Sequence, residues 1–431
     1  MDENRPHADG RRHRQAAVRR HGRYTAPRGG VRLQSVSRGR RLSEFQVSAG
    51  ALAGVLKAVS LVVERKTTIP ILSHVLLAAN EQGLSVSATN LDMQMDATCR
   101  LVAPPSSPLS FTIDPRAPLA AIVNLPRDWP VKVSLRDDGS AAIAWEWGEM
   151  RLLTLPASDF PAMKTGEALA GFEVADGGLK PLDDVRLCLS TEETRYYLNG
   201  VFLDRTQEGE VLLVATDGHR LGAARTGWEA SAGDGNAFKV IAPYRFCAVW
   251  SSAFRRKAHR FEFIAGEGAG AFVKYVRIAT DALTVTSKII DSTFPEWRCV
   301  VPSDRGRCVV VAREALVQGL NAATRFCRAV GKTRSASTTF HYEDGRAFLT
   351  VAQEGQSLDL DIGAARGPDG FWFGVNAPYL TYAAQRMEGD ELTLAQADFG
   401  SPLVLWSDKA EFVVMPLRTE APAKKQLKQA A

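Results

Sequence analysis

The segment VLLVATDGH, residues 211–219, decides how the rest of the chain is interpreted. An apolar run ends in an Asp-Gly pair, which is typical of a β-strand entering a tight turn. The pattern recurs in two further segments: LSVSATNLD, residues 84–92, and LTVAQEGQ, residues 349–356. One alanine marks each copy: Ala88, Ala215 and Ala352. Their spacing of 127 and 137 residues predicts a threefold internal repeat.

Two other landmarks recur with nearly the same spacing. A short strand pattern followed by a helical pattern begins at Phe45, Phe172 and Cys308. A proline opens a second helical pattern at Pro115, Pro243 and Pro378. We therefore predict three units, residues 45–168, 169–303 and 304–419. Each is expected to pack two helices on short antiparallel strands, an α+β arrangement.

The termini differ in composition from the predicted units. Residues 1–44 hold twelve arginines and four carboxylates, a net charge of +8, whereas the whole chain of 431 residues carries +5. The remainder is therefore mildly acidic, at −3. The leader is predicted to be disordered, as a nucleic-acid-binding arm, a dispensable tail or the product of a start codon placed too early. Residues 420–431 are predicted to be a C-terminal tail.

Several classes of protein are disfavoured. The six cysteines are widely spaced, without a C-x-x-C pair or histidines at metal-ligand spacing, so we expect reduced thiols and no metal or cofactor. No apolar run approaches the roughly 18 residues of a membrane span. These features predict a cytoplasmic protein with no membrane partner.

The pair Asp217 and His219 invites a catalytic interpretation. A hydrolase would need a nucleophile oriented by this pair, and no G-x-S-x-G, S-x-x-K or Cys/His signature accompanies it. We therefore predict that the protein is not an enzyme and that Asp217 closes the turn with its side chain. A hydrolase centred on the pair remains as a distant alternative.

Further motifs extend the pattern in chain order. In the first unit they are KTTIPIL from Lys66, TNLDMQMDA from Thr89 and LPASDFP from Leu155. Later in the chain they are RYYLNGVFLD from Arg195, ATDGHRLG from Ala215, FPEWRCVVP from Phe294 and FVVMPLR from Phe412. Together with the triple repeat, the set resembles the β sliding clamp family of bacterial DNA polymerase III, from Phe45 to about Arg418.

The resemblance implies a fold and a function. Members of the family are head-to-tail homodimers in which two chains of three clamp domains close a ring around duplex DNA, with helices lining the hole. The ring tethers the replicative polymerase and other clients, and the clamp loader and these clients dock through short apolar peptides. It would be cytoplasmic and nucleoid-associated. The alternative is a clamp paralogue that serves a specialised polymerase or a regulatory role.

The resemblance also assigns residues. The partner-peptide groove is expected to comprise Leu198, Thr216, Gly218, His219, Arg220, Leu221, Pro295, Val300, Val413, Met415, Pro416 and Leu417. DNA contacts are expected from Arg65, Lys66, Arg195, Tyr196 and Tyr197. Seven further cations on the predicted helices are expected to face the hole: Lys57, Lys180, Arg186, Arg245, Arg325, Arg328 and Arg386. Cys299 stands where some relatives carry arginine, which implies an altered peptide preference.

Overall fold

The protein was analysed as a computed structural model, which describes residues 41–206, 209–230, 238–268, 272–331 and 335–419. The predicted leader up to residue 40 and the predicted tail lie outside the described residues. Residues 41–44, predicted as the end of the leader, instead begin the first strand. The prediction was wrong there because the backbone of these residues pairs with residues 134–136.

The helices and strands fall into three groups along the chain. The first comprises β1 Arg41–Ser48, α1 Ala49–Val59, β2 Val75–Asn80, β3 Gly83–Thr89, β4 Met93–Cys99, β5 Leu109–Ile113, α2 Arg116–Ile122, β6 Pro130–Arg136, β7 Ala141–Trp145 and β8 Gly148–Leu152. The second comprises β9 Ala168–Val174, α3 Lys180–Val185, β10 Gly200–Arg205, β11 Val211–Thr216, β12 Arg220–Arg225, β13 Glu229–Ala230, β14 Lys239–Pro243, α4 Tyr244–Ala253, β15 His259–Ala265, β16 Val273–Ala279 and β17 Leu283–Lys288. The third comprises β18 Arg307–Ala312, α5 Arg313–Val330, β19 Ser337–Glu343, β20 Arg346–Gln353, β21 Gln356–Arg366, β22 Phe371–Asn376, α6 Ala377–Arg386, β23 Glu391–Gln396, β24 Leu403–Trp406 and β25 Ala410–Val414.

Each group repeats one order of elements: a strand, a helix, four strands, a helix and three strands, with β13 as an addition in the second. Neighbouring strands are antiparallel throughout the described sheets. The predicted α+β class is therefore confirmed, and the order of elements follows the predicted threefold repeat.

Helix α1 shows how the sequence pattern builds a unit. The Ser48 hydroxyl caps its start by accepting from the N–H of Ala51. Leu52, Leu56 and Val59 are fully buried at the spacing of a one-sided helix. Truncating a leucine such as Leu52 to alanine is expected to cost about 2–5 kcal/mol of stability.

The sheets run across the boundaries between units. Strand β4 of the first unit pairs with β17 of the second, and β12 of the second pairs with β25 of the third. The resulting sheets have nine and twelve strands, and a four-stranded sheet, β1-β6-β7-β8, ends at β8. The units are thus joined by strand ladders as well as by the chain.

The third copy of the strand-turn motif has a shorter turn than the other two. Glu354 and Gly355 form a two-residue turn, both with positive φ, of 50° and 76°. In consequence Val351, not Ala352, is buried against the helices. The alignment of Ala352 with Ala215 is therefore wrong by one residue.

Candidate functional site

The Asp217 side chain closes the turn between β11 and β12. Its Oδ1 accepts from the N–H groups of His219, at 2.9 Å, and Arg220, at 3.0 Å. Gly218 has φ 85°, and its N–H donates to the Thr216 hydroxyl. The prediction of a structural role for Asp217 is confirmed.

The first unit builds the same turn without the Asp-His pair. Asn90 Oδ1 accepts from the N–H groups of Asp92, at 3.2 Å, and Met93, at 2.8 Å. Leu91 takes the positive-φ place of Gly218, with φ 74°. Because two units share this geometry, the turn belongs to the architecture of the repeat.

Arg220 follows the turn, and two of its nitrogens bond to the protein itself. Its Nε donates to Asp217 Oδ2 at 3.2 Å, and its Nη2 donates to the carbonyl oxygen of Leu187 at 2.5 Å. The guanidinium lies 4.4 Å from the ring centroid of Tyr379 on α6, and the side chain is only 17% exposed. Arg220 thus ties the turn to the end of α3 and to the third unit.

The opposite face of the same sheet carries an apolar cluster. It comprises Leu198, Phe202, Leu212, Val214, Leu221, Ala223, Ile241, Phe294, Trp297 and Val413. Three predicted groove residues, Leu198, Leu221 and Val413, therefore come together from two units. Beside this cluster Val300 is 44% exposed and Met415 is 37% exposed. The arrangement offers partly exposed apolar side chains over a buried apolar floor, which suits the anchors of a short peptide.

The residues that follow the last strand, β25, are hydrogen-bonded first to the turn at Asp217 and then to β22. The Met415 N–H donates to the His219 carbonyl oxygen at 2.8 Å. Two residues on, the Leu417 N–H donates to the Gly374 carbonyl oxygen of β22. Leu417 and the half-buried Pro416 therefore extend the predicted groove toward the third unit's own sheet.

Asp204 holds the connector that carries Pro295 and Val300, and sequence analysis missed it. Its Oδ2 accepts from Arg298 Nη1 at 2.7 Å and from Trp297 Nε1 at 3.4 Å. The carboxylate is almost fully buried, so both donors also solvate its charge. The only signal in the sequence is an aspartate that interrupts an apolar strand.

The junction between the first and second units has polar residues at the positions equivalent to the groove. Gln94 is equivalent to Leu221 and pairs with Thr286, which is equivalent to Val413. The side-chain oxygen of Gln94 accepts from the N–H of Met163, in the segment between β8 and β9, at 2.7 Å. Lys288, at the position of Met415, forms an ion pair with Asp92 at 3.1 Å. The apolar site is consequently specific to the second junction.

The predicted DNA-contacting residues lie in two equivalent segments, each following the first helix of a unit. Arg65 and Lys66 are exposed after α1. Arg195 forms an ion pair with Glu192 at 3.4 Å, and Tyr196 is exposed. Tyr197 is half-buried and packs against the apolar cluster.

Four of the seven predicted hole-facing cations are paired with carboxylates. The pairs are Lys180 with Asp184, Arg186 with Asp183, Arg245 with Glu64 and Arg386 with Asp184. Burial raises the pKa of Asp184, while Lys180 and Arg386 counteract that rise. These pairs offset part of the positive charge that the sequence predicted for the helices.

Neither a metal-binding cluster nor a membrane-spanning helix occurs in the part of the chain that the structure covers. Among those residues no group of three or more His, Cys, Asp or Glu side chains is arranged to hold a metal ion. No helix in the same ranges is long and apolar enough to cross a membrane.

The sequence matches family models and known proteins over most of its length. The model of the DNA polymerase III beta subunit N-terminal domain matches residues 43–164, and that of the central domain matches residues 179–296. The beta sliding clamp of Caulobacter vibrioides (strain NA1000 / CB15N) is 31% identical over 394 residues, covering 87% of this chain and 100% of the relative. The beta sliding clamp of Pseudomonas putida (strain KT2440) is 26% identical over 388 residues, covering 87% and 99%.

Solved structures are similar over the same extent. A crystal structure of the C. crescentus beta sliding clamp, with polyethylene glycol bound, matches with a TM-score of 0.79 at 29% identity, covering 88% of this chain and 100% of that one. A sliding clamp from Bartonella birtlesii, bound to griselimycin, matches with a TM-score of 0.78 at 26% identity, covering 87% and 99%.

Proposed function

Because the chain belongs to the DNA polymerase III β subunit family, the β sliding clamps, we propose that it closes a head-to-tail ring around duplex DNA and tethers a polymerase there. A clamp of this family is a non-catalytic processivity factor, so the Asp217–His219 pair needs no catalytic role. Membership of this family leaves no basis for the hydrolase alternative. The paralogue alternative is not favoured either, since the relatives described above are named beta sliding clamp.

The observation that carries the proposal is the repeated ladder between units. Each internal junction joins a strand that follows the turn motif to the last strand of the next unit. The third unit offers β21 after its turn, and the first unit offers β8 as its last strand. In the described residues β21 pairs with β18 only at Ala365 and Arg366, which leaves its first part along one edge. A second copy supplies the complementary β8 edge, and two such contacts close a ring.

The internal junctions also predict the register of this contact. At the second junction Gly222 of β12 pairs with Phe412 of β25. Judged by burial and by their partners in the hairpins, Leu358 of β21 is equivalent to Gly222, and Met150 of β8 is equivalent to Phe412. Met150 should therefore lie opposite Leu358 of the partner subunit. Both side chains are half-buried in the single chain and on the helix-covered face, so pairing them removes apolar surface from water.

Binding to DNA is proposed to be loose and without base readout. A bidentate arginine on a guanine, worth about 1–3 kcal/mol, would hold a sliding ring at particular sites. Contacts of Arg65, Lys66 and Arg195 with phosphates give a weaker, salt-dependent attraction. Clients, including polymerase subunits and the clamp loader, are proposed to dock in the groove by apolar peptides. The place of action would be the nucleoid of the cytoplasm.

Retention on nicked circular and on linear DNA tests the ring. The protein, loaded by a clamp loader, is passed over a sizing column with each DNA. We expect co-elution with the circle and loss from the linear form, because a ring slides off a free end. Equal retention on both would contradict topological binding. A chain lacking residues 1–40 reports whether the arginine-rich leader adds retention of its own.

A further inference from the structure

A cavity of about 660 Å³ lies at the junction of the first and second units, between the end of α1 and helix α4. Its walls include Leu61, Arg65, Lys66, Met93, Tyr244 and Arg245. The volume falls within the ~300–1,000 Å³ of ordinary small-ligand pockets. It is on the helix side of the sheet, away from the apolar groove.

The equivalent space at the second junction is filled. Met93, the first residue of β4, is equivalent to Arg220, the first residue of β12. Tyr244 is likewise equivalent to Tyr379, because each follows an Ala-Pro pair at the start of the second helix of its unit. Arg220 extends across that space onto Tyr379 and bonds to Leu187. Met93 is buried and has no such reach, so the first junction keeps the cavity open.

The open cavity combines aromatic and apolar walls with positive charge. Tyr244 is 42% exposed and Leu61 is 47% exposed, so both large side chains present surface to a ligand. Arg65, Lys66 and Arg245 supply three cations against the single carboxylate of Glu64, which pairs with Arg245 at 2.8 Å. An aromatic face beside several cations is the arrangement that accepts an unpaired base and its phosphates.

We propose that this cavity binds single-stranded DNA, with a base stacked on Tyr244 and the adjoining phosphates on Lys66, Arg65 and Arg245. Stacking needs no hydrogen-bond code, so the site tolerates any base. The proposal rests on the proposed function, because a clamp that rides on a primed template meets unpaired strand beside the duplex. The site shares Arg65 and Lys66 with the proposed duplex contacts, and Tyr244 and Arg245 are the cavity residues that it adds for an unpaired strand.

Photocrosslinking tests the site directly. The full chain is irradiated with a decathymidine strand that carries one 5-iododeoxyuridine, and crosslinked residues are mapped by mass spectrometry. We expect crosslinks at Tyr244 or Leu61. Crosslinks confined to residues 1–40 would overturn the proposal, as would equal labelling of the cavity by the same strand in a duplex. Competition by thymidine monophosphate as strong as that by the same concentration of strand nucleotides would assign the cavity to free nucleotides instead.

Matched variants test the contacts, with crosslinking measured at Leu61, which none of them changes. We expect Tyr244→Ala to lower crosslinking at Leu61 about tenfold and Tyr244→Phe to leave it within twofold, because phenylalanine keeps the stacking face. Arg245→Ala should weaken it more than Arg256→Ala, which removes an exposed cation outside the cavity. Equal effects in either pair would overturn the proposal. Retention of Tyr244→Ala on nicked circular duplex is measured in parallel, so that loss of the ring is distinguished from loss of the strand site.

Discussion

Arg220 lies where a client peptide is expected to pass, yet two of its nitrogens bond to Asp217 and Leu187. Its planar guanidinium also covers Tyr379, a contact that lysine cannot reproduce. The resemblance of the sequence assigned Arg220 to the groove but gave no direction for its side chain. We infer that it acts on peptide binding by fixing the turn that supports Met415.

Arg220→Ala and Arg220→Lys are therefore expected to weaken a Leu/Phe-anchored peptide about tenfold, equivalent to ~1.4 kcal/mol. The melting temperature should fall with them, because the Leu187 carbonyl and the tyrosine face lose their partner. Arg225→Ala, which removes an exposed arginine on the same strand, serves as the control. Calorimetric titration measures the affinity. A variant that loses affinity while its melting temperature stays unchanged would instead indicate direct contact between Arg220 and the peptide.

His259 gives the stability a dependence on pH. The N–H of Trp250 donates to its Nε2 at 2.8 Å, and its Nδ1 lies 2.8 Å from the Lys257 carbonyl oxygen, so the ring is neutral with the proton on Nδ1. Burial lowers the pKa of His259 below its usual 6.5. Below pH 6.5 the unfolded chain binds a proton that the folded ring resists, so this contribution is complete above pH 6.5 and lost as pH falls.

We expect the urea midpoint, followed by tryptophan fluorescence, to fall between pH 7.5 and pH 5.5. In His259→Gln, whose side-chain oxygen still accepts from Trp250, that fall should be smaller. The same pH dependence in both proteins would assign the effect to other groups, of which His74, its pKa also lowered by burial, is the first to test.

At the scale of elements, the connector after β17 is positioned by one buried carboxylate. Asp204 on β10 accepts from Trp297 and Arg298, while Phe294 stacks on Phe202 with centroids 4.6 Å apart. These contacts hold the segment in which Pro295, Cys299 and Val300 are exposed. The shape of the groove therefore depends on Asp204, which is buried and does not itself line the groove.

Asp204→Ala is expected to destabilise the protein by about 1–3 kcal/mol, because the buried Trp297 loses its acceptor, whereas the half-exposed Arg298 can be solvated by water. It should also weaken peptide binding several-fold. Glu296→Ala, an exposed change in the same connector, is the control. Thermal unfolding and peptide titration measure the two effects, and an unchanged affinity would show that the connector is held by its ring stack alone.

Met415→Asp tests the groove itself. A charge among the apolar side chains that border Val413 would be desolvated when a peptide docks, at a cost of about 1–3 kcal/mol in affinity. Lys288→Asp makes an exposed change at the equivalent position of the first junction and should leave affinity unchanged. Unaltered binding by Met415→Asp would contradict the placement of the groove.

The sequence predicted the elements better than their fine placement. Helix α1 and the turn at Asp217 were readable because apolar spacing and an Asp-Gly pair act locally. The two-residue turn at Glu354 was misread by one residue, since glycine also occurs in the longer turns. Two of the four cation pairs, Lys180–Asp184 and Arg186–Asp183, are local, and their spacing of four and three residues was visible in the sequence. The pairing of Arg245 and Arg386 and the burial of Asp204 depend on residues distant in the chain, and no local pattern encodes such contacts.

At the scale of the whole molecule, ring closure repeats what the chain already does twice. The junction ladders β4·β17 and β12·β25 predict that β21 meets β8 of a second copy, with Met150 opposite Leu358 of the partner subunit. On the outer face the same register places Arg151 opposite Ser357 of the partner subunit. Directly opposed side chains of antiparallel strands have Cβ atoms about 4.5–5.5 Å apart, close enough for a disulfide after a small adjustment.

The double variant Arg151→Cys, Ser357→Cys is expected to form a covalent dimer on mild oxidation, visible on a non-reducing gel. Leu152→Cys, Ser357→Cys serves as the register control, because its two cysteines project to opposite faces. Each single variant controls for the exposed Cys299. Efficient crosslinking of the control pair rather than the first would place the strands one residue out of the proposed register.

The ladders that cross the unit boundaries also set how a protomer responds to force. Each internal junction combines a five-residue ladder with a covalent connector, so bending it breaks several hydrogen bonds, each worth about 0.5–1.5 kcal/mol net. The proposed joint between protomers has a ladder but no connector. Elastic strain applied to the ring should therefore concentrate at that joint, and each protomer should swing open as a stiff arc, with its client groove undistorted.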